Sequence, residues 1–94
     1  MSNLDELPVV MDFYADWCMP CRLQAPQFKQ AEAELQGRAE FRKIDIERQP
    51  ELAARYQVMN IPTIVVSKGG ETRWRSVGVT AKDEIVKAVE KVLA

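Results

Sequence analysis

Cys18 and Cys21 are the only cysteines of the chain, and they stand with two residues between them in Trp17-Cys18-Met19-Pro20-Cys21. The run Val9-Val10-Met11-Asp12-Phe13-Tyr14 comes shortly before them. A Cys-x-x-Cys behind a β-like run reads as a dithiol/disulfide redox centre. Two thiols this close can form a small ring, so one sulfur attacks a disulfide and the other releases the attacker. Other uses of the pair are weaker. As a staple, a ring this small contributes only about 2 kcal/mol before strain is subtracted. As a zinc site it lacks ligands, because the metal wants four and the sequence has no histidine. A metal shared between two chains stays open, as does a relic motif. The missing histidine also excludes a Cys-His nucleophile pair. A proton acceptor for the thiols must then be a carboxylate, a lysine or water.

These residues need a scaffold, and 94 residues predict one small domain spanning residues 1–94. Hydrophobic residues make up 47% of the chain, enough for a small core. The net charge of −1 gives no pull towards nucleic acid or an anionic membrane. Arg73 and Arg75 read as the solvated side of a strand. No apolar run approaches the roughly 18 residues of a membrane span. The N-terminal Met1-Ser2-Asn3-Leu4-Asp5-Glu6-Leu7 is acidic and poor in apolar residues, unlike a secretory signal. The expectation is a reducing cytoplasm, where a dithiol rests reduced.

The elements follow from patterning. Residues 8–14 read as a buried strand. Pro20 fits the first turn of a helix, where its missing N–H costs nothing. Ala25, Phe28, Ala31 and Leu35 fall on one face of that helix, Pro26 should kink it and Gly37 is a candidate cap. Phe41 to Ile46 reads as a second strand. A shorter helix opens at Pro50 and runs to about Tyr56. Ile61 to Val66 reads as a third strand, with Pro62 tolerated at its start. Lys68-Gly69-Gly70-Glu71 makes a hairpin turn into a strand from Thr72 to Val77. Thr80 is positioned to cap a last helix that carries Asp83 in its first turn and an apolar stripe of Ile85, Val86, Val89 and Leu93. The order is βαβαββα, an α/β fold with a four-stranded mixed sheet flanked by helices. The two βα crossovers predict parallel pairing of the first strands, and the hairpin predicts antiparallel pairing at the end. Phe41–Ile46 becomes a sheet edge, guarded by Arg42 and Lys43 or by the N-terminal segment, and the chain is expected to be a monomer.

Asp12-Phe13-Tyr14-Ala15-Asp16-Trp17-Cys18-Met19-Pro20-Cys21-Arg22 resembles the active-site segment of the thioredoxin family. Pro26 resembles that family's helix-kinking proline, and Lys43 its buried strand lysine. Ile61-Pro62-Thr63 resembles its cis-proline loop, and Val77-Gly78 the glycine bordering its substrate groove. The resemblance runs nearly end to end from Val9. There are three departures: Met19 where glycine is usual, Tyr14 where tryptophan is usual, and only about eight residues before the first strand. The implied architecture is a minimal thioredoxin-like fold. The implied activity is reduction of protein disulfides, with an external reductase as electron donor and neither cofactor nor metal. A glutaredoxin-like, glutathione-dependent enzyme is the first alternative. A thioredoxin-fold module that binds partners without catalysis is the second.

Within this frame the residues take roles. Cys18 sits at the mouth of the helix that Pro20 begins, where the positive end of the dipole and unpaired N–H groups favour a thiolate. It is the expected nucleophile. Cys21, one turn deeper and expected to be less exposed, attacks second. Asp12 interrupts an apolar run, so burial would raise its pKa. The resemblance puts it beneath the cysteines, able to take a proton from Cys21 directly or through a water. A solvated carboxylate or a structural ion pair is the alternative. Lys43 by resemblance neighbours Asp12 and tunes its charge, against the alternative of a surface lysine on an edge strand. Pro62 is expected to follow a cis bond that lays the backbone against the site, rather than to open a strand in trans. Trp17, Met19, Met59, Ile61 and Val79 would form an apolar rim around Cys18, joined by Pro20 and Gly78 along the groove. The flexible methionines suit varied partners. Trp74 is expected to pack on the sheet.

Overall fold

A computed structural model describes residues 6–94. Its elements are β1 (Val9–Tyr14), α1 (Met19–Glu34), β2 (Glu40–Asp45), α2 (Pro50–Arg55), β3 (Thr63–Lys68), β4 (Glu71–Val77) and α3 (Lys82–Leu93). The sheet order is β2-β1-β3-β4. β1 and β2 are parallel, whereas β3 runs antiparallel to both β1 and β4. Only the first crossover therefore yields a parallel pair. Helix lengths give the reason. The 16 residues of α1 rise about 24 Å, enough to carry the chain back along a strand of about 20 Å. The six residues of α2 rise only about 9 Å, so the chain re-enters the sheet at the end it left.

Alternation along β1 divides the core. Val10 joins Phe28, Ala31 and Leu35 of the α1 segment and Ile85 and Val89 of α3 on one face. The rings of Phe28 and Phe41 meet edge-on there at 5.1 Å, an arrangement that suits their quadrupoles. Met11 and Phe13 point the other way, to Ile44, Val65 and the half-buried Leu52 and Tyr56 around α2. Trp74 is half-buried against the first cluster. Arg75 is exposed but not merely solvated: its guanidinium donates to the Tyr56 and Gln57 carbonyls, satisfying the C-terminal end of α2.

Several boundaries differ from expectation. The third strand starts at Thr63, because the cis Ile61–Pro62 bond precedes it and directs Ile61 elsewhere. Gly37 takes a left-handed φ of 83° two residues beyond the cap residue Leu35. The buried face of α1 includes Gln24, while Ala25 is only half-buried. Thr80 does not cap α3. Ala81 occupies that position without a side-chain bond, and Gln27 of α1 accepts the Lys82 N–H at 2.8 Å instead. Leu93 lies exposed at the last turn. β2 forms a sheet edge. The segment expected to cover it lies partly outside the described residues, and Glu6 sits beside Gly69 rather than over β2. No helix among the described residues is long and apolar enough to cross a membrane.

Candidate active site

The two cysteines sit where β1 hands the chain to α1. Cys18 is the N-cap residue of α1, with extended backbone, and Pro20 occupies the first turn. A helix start leaves N–H groups without partners, and here one finds sulfur. The Cys21 N–H points to Cys18 Sγ at 3.2 Å. The two sulfurs are joined as a disulfide, with Cα atoms 5.3 Å apart. With Ala15 they form a small buried cluster that Ile46, Tyr14 and Ile61 pack against. Cys21 is not the less exposed of the pair: Cys18 keeps 4% of its surface and Cys21 5%. Ile61 covers Cys18, and its carbonyl oxygen lies 4.0 Å from that sulfur. Cys21 instead borders a recess of about 270 Å³ shared with Tyr14, Arg22 and Lys43.

Asp12 is 0% exposed, and neither of its carboxyl oxygens has a hydrogen-bond partner among the described residues. Burial pushes its pKa up from the ordinary 3.8 to about 6, although the Lys43 ammonium opposes the shift. Lys43 is the register partner of Asp12 across the parallel β1/β2 pair. It is exposed on the edge strand rather than buried, because among the described residues no further strand lies outside β2. Its ammonium rests 4.5 Å above the Tyr14 ring, a cation–π contact.

The opposite wall is built from two loops. Pro62 is buried behind the cis bond. Its carbonyl accepts the Gly78 N–H at 2.8 Å, which joins the two loops. Gly78 has φ 93°, a conformation that side chains resist. Around this wall apolar side chains face solvent: Trp17 is 67% exposed and Met59 87%, with Met19 and Val79 also open. Trp17 is held in place, since its indole N–H donates to Glu47 Oε2 at 3.0 Å. Patterning did not single out Val77, Glu47 or Gln24. Val77, beside Gly78 in the chain, is exposed as well. Glu47 and Gln24 are polar letters that sequence reading assigns to solvent, and only their partners reveal them.

Such an arrangement can exchange thiols for disulfides, and comparison with known proteins agrees. The thioredoxin family model matches residues 2–91. Thioredoxin 1 of Chlorobaculum tepidum is 42% identical, over 95% of this chain and 92% of its own. Thioredoxin of Staphylococcus aureus is 37% identical, over 98% of this chain and 88% of its own. Among solved structures, chloroplastic thioredoxin z superposes with a TM-score of 0.80 at 30% identity, covering 94% of this chain and 80% of that one. Thioredoxin-2, a component of malaria parasite protein secretion machinery, gives 0.85 at 22% identity, over 92% and 84%, and so supports the fold. A mixed four-stranded sheet with three helices, holding a Cys-x-x-Cys at a helix start, defines a thiol–disulfide oxidoreductase. The chain belongs to the thioredoxin family. Thioredoxins act on disulfide substrates and receive electrons from a reductase.

Proposed function

We propose that this oxidoreductase reduces protein disulfides with Cys18 as nucleophile and Cys21 as resolving thiol. The observation that carries the assignment is the Cys21 N–H directed at Cys18 Sγ from the first turn of α1. That donor and the positive helix end favour the thiolate of Cys18. The Cys18 thiolate attacks one sulfur of the substrate disulfide. A Cys18–substrate bond forms, and the other substrate sulfur leaves and takes up a proton. Cys21 then loses its proton and attacks Cys18. The Cys18–Cys21 disulfide forms and the substrate departs as a dithiol, having gained two electrons. A reductase restores the enzyme with two electrons and two protons.

Asp12 is the proposed acceptor of the Cys21 proton. Val10, two residues earlier on the same face, belongs to the cluster of Phe28. The role requires Asp12 to reach Cys21 directly or through one water, from the end of β1 that leads into the cysteine loop. Lys43, across the strand pair, holds the carboxyl pKa lower than burial alone would. Extended substrates are proposed to dock along Ile61, Pro62 and Gly78, with Trp17, Met19, Pro20, Met59 and Val79 as adaptable contacts.

The protein is further proposed to work as a monomer in a reducing cytoplasm, where its attacking dithiol form persists. Exposed Arg42 and Lys43 on β2, and Glu71, Arg73 and Arg75 on β4, discourage edge-to-edge pairing. A tight dimer in sedimentation would remove the monomer reading.

Trapping tests the assignment of the cysteines. Cys21→Ser incubated with a disulfide-bonded protein should accumulate a mixed disulfide through Cys18, visible by mass spectrometry. Cys18→Ser should form none and should lose insulin reduction entirely. An adduct formed through Cys21 in Cys18→Ser, with none in Cys21→Ser, reverses the assignment.

A further inference from the structure

Gln24 is a polar side chain with no exposed surface, one helical turn beyond Cys21. Both polar atoms of its amide bond with one residue of a distant loop. Gln24 Nε2 donates to the Thr80 carbonyl at 2.9 Å, and the Thr80 N–H donates to Gln24 Oε1 at 2.6 Å. A primary amide presents a donor and an acceptor side by side, as a neighbouring strand would, so it can satisfy both main-chain groups of one residue. No other side-chain type of similar length does this at neutral pH. Glutamate offers two acceptors, and methionine offers no donor.

Thr80 ends the loop that forms one wall of the groove. Its hydroxyl bonds with the Ser76 hydroxyl at 2.8 Å and the Gly78 carbonyl at 3.0 Å. The Gly78 N–H bonds with the Pro62 carbonyl. Ile61, before Pro62, covers Cys18. A closed circuit thus runs from the cysteine helix through Gln24 to Thr80, to Gly78, to Pro62 and back to the sulfur. We propose that Gln24 is a positioning residue for substrate docking, whose amide fixes the Gly78 wall of the groove at a set distance from the cysteines.

The proposal rests on the reading that extended substrates dock along Ile61 and Gly78. Without the amide, the Thr80 N–H and carbonyl are buried and unpaired. The loop must then shift to reach water, because leaving both unpaired is costly. A protein substrate that pairs with the groove feels this shift. A small disulfide that touches only the sulfurs does not. Gln27 provides the comparison. It stands one turn further along α1, and its amide oxygen accepts the Lys82 N–H, so it anchors α3 without holding Thr80.

The test is steady-state reduction of insulin with dithiothreitol as electron donor, together with the reaction of the pre-reduced protein, freed of dithiothreitol, with a small aromatic disulfide. Gln24→Met should raise KM for insulin about tenfold, the equivalent of one net hydrogen bond, with kcat held within about twofold. The rate on the small disulfide should follow kcat. Gln27→Met should lower stability without changing KM for insulin. Met59→Asp, on the other wall, should raise KM independently of Gln24. If Met59→Asp raises KM and Gln24→Met does not, the clamp is overturned and the groove stands. If neither raises it, the groove reading fails and takes the clamp with it. An equal KM rise in Gln24→Met and Gln27→Met reduces Gln24 to a general structural role and overturns the proposal. Should Gln24→Met not fold, Gln24→Asn carries the same test, since it withdraws the amide by one methylene and should raise KM likewise.

Discussion

Val10 and Asp12 are successive residues on one face of β1, and neither exposes any surface. Val10 is packed among Phe28, Ala31, Leu35 and Ile64, and its burial stabilises the fold by about 1.5–3 kcal/mol. Asp12 has the same burial and, among the described residues, no hydrogen-bond partner for either oxygen, and burial holds its carboxyl near 6. One strand face is thus divided. The half beneath the middle of α1 is apolar and supports the fold. The half towards the start of α1 carries a group that works against the fold, in the direction of the cysteines. Burial stabilises an apolar side chain and penalises an unpaired charge, so the same surroundings can serve packing at one residue and chemistry two residues later.

Moving the charge two residues back along β1 should have the largest effect. Val10→Asp places a carboxyl between Phe41 and Val66, its register partners, where Asp12 has Lys43 across the parallel pair. It should cost about 4 kcal/mol or more at neutral pH, enough to unfold much of a marginally stable domain. Circular dichroism and urea melts check this. A Val10→Asp variant as stable as the parent would mean that burial on this face does not penalise a carboxylate. Lys43→Met should have the smallest effect. Removing the cation lets burial lift the Asp12 pKa further, which lowers stability above that pKa. Because Lys43 is exposed, the change should stay under about 1 kcal/mol and shrink in salt. A larger loss in urea melts, insensitive to salt, would show a tighter Asp12–Lys43 pair than the edge strand displays.

Much of this division was legible in the sequence. The break in Val9-Val10-Met11-Asp12-Phe13-Tyr14 marks the one charge in an apolar strand, and Cys18-Met19-Pro20-Cys21 marks the redox pair and its helix start. The element order followed from periodicity and from Pro and Gly punctuation. The direction of β3 did not, because crossover rules assume a helix long enough to return the chain, and α2 is too short. Family likeness implies a buried Lys43, but β2 is an edge among the described residues and leaves it exposed. Thr80 looked like a helix cap because threonine suits that position. In the fold its hydroxyl turns to Ser76 and Gly78, and a glutamine from another helix takes over the capping. The burial of Gln24 was invisible for a related reason. Its partner is the main chain of a residue far along the sequence, and main-chain partners leave no residue-type signal.

The measurement that bears most directly on this division is the stability difference between the parent and Asp12→Asn as a function of pH, read alongside turnover. The folded state holds the Asp12 proton up to about 6, whereas an ordinary aspartate releases it near 3.8. Between those values the folded state binds more protons, so the parent loses stability as pH rises through the window, and the penalty is complete above the folded pKa. The shift corresponds to about 3 kcal/mol. Urea melts should find the two proteins alike near about pH 4, with Asp12→Asn more stable by about 2–3 kcal/mol at about pH 8. The same variant should reduce insulin more slowly, because Cys21 has lost its proton acceptor. A stability difference that does not change with pH, or a variant that is less stable at about pH 8 and fully active, would contradict the account.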